Sequence, residues 1–130
     1  MKWEFLSDAP IYAQLILQIK VGIVSGVFPS GERLPSVRDL ATEAGVNPNT
    51  MQRALTELER DGLVYSQRTA GRFVTEDREM IDGAKRALAQ RHIQAFLDAM
   101  CRLGYDREEI LTLLRQETSE EGMEHAGSGV

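Results

Sequence analysis

The feature that most constrains the fold is a pair of short helices that the sequence predicts on either side of a tight turn. Ser36 is a typical N-cap, and Asp39 three residues later completes the pattern of a capping box, so a helix should begin there. Gly45 ends this helix. Asn47 caps the next one, and Pro48 follows at the first helical position, where proline is favoured. Two helices joined by so short a turn must cross steeply, as in a helix-turn-helix.

The second helix carries a polar face whose chemistry suits DNA bases. Its apolar residues recur at helical spacing, which leaves a polar side at Asn49, Thr50, Gln52, Arg53, Thr56 and Glu57. Arginine can bond guanine through two hydrogen bonds, asparagine can do the same with adenine, and threonine can meet thymine. A polar face on an isolated helix is usually only a solvated one. The elements that follow this helix in the sequence favour DNA binding over a merely solvated face.

A two-stranded wing is predicted directly after the second helix. Residues 63–67 read as a strand, 68–71 as a turn and 72–74 as a return strand, with arginines at 68 and 72. Helix, turn, helix and wing in this order present one helix to the major groove.

The segment from Pro10 to Val74 resembles the winged helix of the GntR family of bacterial transcriptional regulators. The motif is LPS-x-R-x-LA-x-x-x-GVNPNT-x-x-x-AL-x-x-L-x-x-x-GL, followed by G-x-FV. The resemblance implies DNA contacts from the matching helix positions and from the wing: Ser36, Arg38, Asn47, Asn49, Thr50, Arg53, Arg68, Thr69, Gly71 and Arg72. The family wing commonly runs Gly-x-Gly-x-Phe-Val, whereas Thr69 stands at the first glycine here, which leaves contact with the minor groove open. Arg33, in the preceding loop, can contact a phosphate or be an ordinary loop charge.

Helices are predicted on both sides of this segment. Upstream, Asp8 and Pro10 open an amphipathic helix that ends at Ser25. Downstream, an apolar stripe continues to Leu103, and Asp106 with Glu109 predicts the capping box of a short final helix. A second copy of the chain is the economical cover for these two helices, although they can also fold back on the winged domain in a monomer. The predicted dimerisation residues are Ile81, Ala84, Leu88, Ala95, Phe96, Met100, Leu103, Ile110, Leu113 and Leu114.

The C-terminal pattern LGY-D-x-x-E-I-x-x-LL is similar to the YtrA-type subfamily of GntR regulators, whose members carry two dimerising helices in place of a large effector domain. We therefore expect a mainly α fold with a small β-wing. The expected domains are a winged helix-turn-helix at 1–75, a helical dimerisation region at 76–117 and a flexible tail at 118–130. The resemblance also implies a repressor that controls an operon, with a transporter operon as the subfamily's example.

The charge of the chain is unusual for a DNA-binding protein. Its 130 residues allow one compact domain with an appendage, and the net charge is -5. Residues 33–75 hold six arginines against five acids, whereas residues 79–130 hold six bases against ten acids. Acidity therefore lies away from the proposed DNA face, and the phosphate contribution to binding should be modest.

Other chemistry finds little support in the sequence. Cys101 is the only cysteine, which excludes an internal disulfide, and its place on the apolar stripe predicts a buried thiol. His92 fits a helix surface better than a metal or effector ligand. We predict no enzyme activity, no metal and no cofactor. We also expect no signal peptide and no membrane span, hence a cytoplasmic protein.

Two functions of different classes remain. One is a homodimeric regulator that binds double-stranded DNA at an inverted-repeat operator. The other is a winged-helix module for protein-protein assembly, because that fold also serves as an interaction platform. The four arginines at 38, 53, 68 and 72, predicted on one face, favour the regulator. The operator sequence, the target genes and a small-molecule effector stay open.

Overall fold

The computed structural model describes residues 1–119, which form five helices and one two-stranded antiparallel sheet. In chain order the elements are α1 (Ile11–Val24), α2 (Val37–Ala44), α3 (Pro48–Arg60), β1 (Val64–Gln67), β2 (Gly71–Val74), α4 (Arg78–Arg102) and α5 (Arg107–Glu117). The predicted fold class, mainly α with a small wing, is confirmed. Most of the tail predicted at 118–130 lies outside the described residues.

Side-chain caps fix the start of four helices; at α4 the carboxylate of Asp77 accepts from the N–H groups of Glu79 and Met80. The hydroxyl of Ser36 accepts a hydrogen bond from the backbone N–H of Asp39 at 3.1 Å, and the side chain of Asn47 accepts one from the N–H of Asn49 at 2.8 Å. Asp106 and Glu109 form both halves of a capping box before α5. For Ser36 and Asp39 the structure shows one half of the predicted box, the bond to Ser36, which already satisfies a free N–H of the first turn.

The core of the winged domain lies where α1, α2 and α3 meet, and it extends into the wing and into α4. Its buried members include Leu15, Ile19, Leu40, Met51, Leu55, Leu58, Val64, Val74 and Ile81. Ile81 is only 3% exposed, and Ala84 packs against the same core. These two side chains, predicted to pair with a second chain, are therefore covered by their own chain.

The loop between α1 and α2 supports the wing by running beside β2. The N–H of Leu34 donates to the carbonyl of Arg72 at 2.8 Å, and the N–H of Val74 donates to the carbonyl of Glu32 at 2.9 Å. An isolated antiparallel bridge joins Arg33 to Phe73. The loop thus acts as a third strand of the wing and places Arg33 next to its base.

An N-terminal segment that the sequence analysis did not predict is docked along α1. The side-chain amide of Gln18 both donates to and accepts from the backbone of Glu4, and the amide of Gln14 does the same with Leu6. Trp3 and Phe5 pack against the core. The two glutamines replace the hydrogen bonds that a neighbouring strand would supply.

The chain divides into two compact units, Met1–Ala87 and a second one that begins at Leu88, so the boundary falls inside α4. In the second unit Leu88 and Ile110 are buried. The prediction that Cys101 is buried is wrong, because its side of α4 is uncovered within a single chain. Within residues 1–119, no helix combines the length and apolar character that crossing a membrane requires.

Candidate nucleic-acid interface

A basic groove separates the start of α2 from the wing. It has a volume of about 340 Å³ and is lined by Arg33, Leu34, Pro35, Ser36, Val37, Ser66, Gln67, Arg68, Gly71 and Arg72. Five of these belong to the predicted DNA-binding set. Arg38, in the first turn of α2, is exposed. The fold therefore gathers residues more than thirty positions apart in sequence around one cationic depression.

The caps of α2 and α3 leave donors available for DNA. Ser36 uses its oxygen as an acceptor, so its hydroxyl proton can still be donated to a phosphate. Asn47 uses its carbonyl oxygen in the same way, which leaves its NH₂ group as a donor. Asn49 is exposed and Thr50 is half-exposed in the first turn of α3. The predicted reading end of α3 is thus open to a ligand.

The wing closes without a glycine at position 69. The N–H of Ala70 donates to the carbonyl of Gln67 at 3.1 Å, and no non-glycine residue in the described chain has a positive φ. Gly71 takes the left-handed conformation, with φ 103. A Cβ on Gly71 would lie 2.9 Å from Nε of Arg33, so the missing side chain lets the arginine lie against the turn end of the wing. Thr69 is accordingly tolerated at the tip and is exposed there.

Arg72 is held by an acid of α3. Its Nε donates to Oε1 of Glu59, and the hydroxyl of Ser66 donates to the same oxygen at 2.7 Å. Burial by itself would raise the pKa of Glu59, but the hydrogen bonds from Ser66 and Arg72 and the charge of Arg72 outweigh it, so the pKa lies below its usual range. Arg72 therefore fastens the wing to α3 and has less freedom to contact DNA than the exposed Arg68.

Arg53 lies over an aromatic ring of α1. Its guanidinium carbon is 3.9 Å from the centre of the Tyr12 ring, while the arginine itself is exposed. Sequence reasoning missed both Tyr12 and Glu59. Their partners stand 41 and 13 positions away, and a residue pattern along one helix carries no signal for contacts between elements.

The second unit presents uncovered apolar side chains. Phe96 is 37% exposed and Leu103 is 72% exposed. A groove of about 530 Å³ between α4 and α5 is lined by Ile93, Gln94, Leu97, Asp98, Cys101, Arg107, Ile110, Leu111 and Leu114. Ile110 and Leu114 were among the predicted dimerisation residues. Ile93, Leu97 and Leu111 were missed, although the first two stand one helical turn apart and face the groove together.

Comparisons with known proteins point to one family. The model described as bacterial regulatory proteins, gntR family, matches residues 11–74. The HTH-type transcriptional regulator YhcF of Bacillus subtilis is 40% identical over 83% of this chain and 89% of its own. The HTH-type transcriptional repressor YtrA of the same organism is 37% identical over 72% of this chain and 73% of its own.

Solved structures agree with these relatives. A GntR family transcriptional regulator from Listeria monocytogenes has a TM-score of 0.79 and 37% identity, over 86% of this chain and 98% of that one. The crystal structure of AraR(DBD) in complex with operator ORX1 has a TM-score of 0.53 and 28% identity, over 58% of this chain and 96% of that one. The second likeness concerns a protein that is bound to its operator.

Proposed function

We propose that this chain, which belongs to the GntR family of bacterial regulatory proteins, represses transcription as a homodimer on an inverted-repeat operator. Membership of the family makes it a DNA-binding transcriptional regulator. The assembly, the symmetry of the operator and the direction of regulation are the parts that we propose. The proposal needs no cofactor and no catalytic group, and it places the protein in the cytoplasm, where the operator is.

The observation that carries this proposal is the basic groove between the start of α2 and the wing. In a winged helix-turn-helix the second helix enters the major groove while flanking residues hold the backbone. Asn49 and Thr50 occupy the end of α3 that would meet the bases, and Arg33, Arg38 and Arg68 would meet phosphates. Because the DNA-facing surface carries so few basic residues, one winged domain should bind DNA weakly and depend on a second copy.

Dimerisation is supported by the apolar side chains of the second unit. Phe96, Leu103 and Leu111 are exposed in a single chain, and a large exposed apolar patch usually marks an interaction surface. A two-fold dimer pairs the same surface of both chains, so the two copies of α3 would face half-sites related by inversion. Repression would follow because a protein seated on the promoter blocks polymerase, in line with the repressor named among the relatives.

Footprinting on DNA upstream of its own operon tests the proposal. The parent protein should protect two inverted half-sites about one helical turn apart, or a multiple of that spacing. Transcription from the same fragment in vitro should fall when protein is added. Arg38→Ala should weaken binding, whereas Arg86→Ala, at an exposed position of α4 outside the helix pair and the wing, should bind like the parent.

Three results would contradict the proposal. Protection that raises transcription would overturn repression alone. A single unrepeated half-site would overturn the dimeric arrangement. Failure to bind any site, checked by mapping bound fragments across the genome, would leave the assembly module as the better interpretation.

A further inference from the structure

The ring of Tyr12 is placed against the cation of the predicted reading helix. Tyr12 lies in the first turn of α1 and is half-buried, and Arg53 projects from α3 with its guanidinium carbon 3.9 Å from the ring centre. A guanidinium at this distance over an aromatic face is attracted to it electrostatically. Helix α1 therefore does more than support the core, since one of its side chains reaches the DNA-facing residues of α3.

The local charges leave Arg53 free for a ligand. Glu57, four residues along the same helix, is the acid best placed to pair with it, yet Glu57 contacts Arg60 at 3.1 Å. Arg53 also shares a helix face with Asn49, four residues before it. The charge of Arg53 is thus kept next to an exposed residue at the reading end of α3.

Stacking suits an arginine that must bind through its edge. A guanidinium that rests on a ring uses its flat face, and its N–H donors point outward in the plane. Those donors match pairs of acceptors such as N7 and O6 of guanine. A side chain already held in place loses less freedom when it binds, which increases affinity without a new contact.

We infer that Tyr12 is a positioning residue for DNA recognition, which acts by holding Arg53 in the orientation that meets acceptors of the DNA. The inference rests on the proposed function, because it assigns Arg53 to the protein–DNA interface. Tyr12 itself needs no contact with DNA. Its ring, and not its hydroxyl, is the part that matters.

The test is a double-mutant cycle on the operator fragment that footprinting defines. Parent, Tyr12→Phe, Tyr12→Leu, Arg53→Ala and the Tyr12→Leu, Arg53→Ala double variant are compared by fluorescence anisotropy, with a scrambled fragment as nonspecific DNA. Tyr12→Leu should weaken operator binding about two- to fivefold, the range of an exposed cation–π contact. Tyr12→Phe should bind like the parent. In the Arg53→Ala background, Tyr12→Leu should cause no further loss.

Stability is measured in parallel by thermal unfolding, since Tyr12 is half-buried. Arg53→Lys provides a variant that does not touch the core: it keeps the charge but loses the planar stack, so operator binding should weaken while stability stays unchanged. A merely structural role for Tyr12 would lower stability and weaken binding equally in both Arg53 backgrounds. That result would overturn the inference.

Other outcomes separate this inference from the proposed function. Equal losses for Tyr12→Phe and Tyr12→Leu would assign the effect to the hydroxyl and overturn it. Operator binding that is unchanged by Arg53→Ala would overturn it while leaving the regulator intact. A parent that binds no operator would end both proposals.

Discussion

Glu59 fastens the wing to α3. Its carboxylate receives hydrogen bonds from Ser66 of β1 and Arg72 of β2, so one oxygen joins α3 to both strands. A charged acceptor forms stronger hydrogen bonds than a neutral one. Because the pKa of Glu59 is lowered in the folded chain, its ionised form stabilises the fold.

The lowered pKa predicts how stability changes with pH. The contribution of Glu59 is present above the pKa of the unfolded chain, about 4.5, and is lost as the pH falls through the lower folded value. Glu59→Gln should therefore reduce the free energy of unfolding at pH 7 by about 0.5–1.5 kcal/mol. The difference between parent and variant should shrink as the pH drops below about 4.5. Urea unfolding at several pH values measures it, and a difference that is independent of pH would rule out the ionised carboxylate as its cause.

Asn49 and Arg68 test base reading against phosphate contact. Asn49 is exposed and contributes only its backbone N–H to the cap, so Asn49→Ala should leave folding intact. It should cost about 1–3 kcal/mol of operator binding and much less on scrambled DNA. Arg68→Ala should weaken binding to operator and scrambled DNA alike, and it should lower the slope of log affinity against log salt concentration by about 1. Titrations at several salt concentrations measure these effects, and equal losses on both DNAs for Asn49→Ala would argue against a base contact.

At the scale of elements, two glycines in helices have opposite surroundings. A Cβ on Gly22 of α1 would lie 2.7 Å from the ring of Phe28, whereas nothing lies within 4 Å of one on Gly83 of α4. Alanine is a better helix former than glycine by about 1 kcal/mol, so the space around the new Cβ decides whether a Gly→Ala change stabilises or destabilises the protein. Gly22 is thus where the loop after α1 folds back against its own helix.

The two alanine variants are matched controls for each other. Gly83→Ala should stabilise the protein by about 0.5–1 kcal/mol. Gly22→Ala should destabilise it by about 1–3 kcal/mol, because the ring of Phe28 must move in a packed core. Thermal and urea unfolding give both values. Stabilisation by Gly22→Ala would show that the Phe28 contact yields easily.

Local signals in the sequence were sufficient for the elements and insufficient for the contacts between them. Ser36, Asn47 and Asp106 begin their helices as predicted, since a cap depends on residues two or three positions away. The docking of the N-terminal segment on Gln14 and Gln18 depends on the folded surface of α1, which no local pattern encodes. The same limit explains Cys101. An apolar stripe predicts that a face will be covered, but not by which chain.

At the scale of the whole molecule, α4 contributes to both compact units. Ile81 completes the core of the first, and Leu88 is already buried in the second. A chain that ended at Glu76 would lose Ile81 from the winged domain, so truncation there would confound folding with assembly. A substitution inside the second unit, away from this core, separates the two effects.

Phe96→Asp is that substitution. If Phe96 is buried between two chains, an unpaired carboxylate there costs several kcal/mol or forces protonation, and the dimer should dissociate. Each winged domain would then bind one half-site without the effective concentration that the partner provides. Operator affinity should fall about 100-fold or more. Analytical ultracentrifugation and anisotropy titrations measure mass and affinity on the same samples.

Val27→Asp is the control. Val27 is an apolar residue of the first unit that is 57% exposed, so the variant places the same carboxylate on an apolar surface position outside the proposed interface. The Val27→Asp variant should remain dimeric and keep the operator affinity of the parent. One apolar surface is proposed to set both mass and affinity, so the two measurements should change together. A parent that is monomeric at micromolar concentration on and off DNA would break that link. So would a Phe96→Asp variant that becomes monomeric yet keeps full affinity, and the C-terminal helices would then need another role.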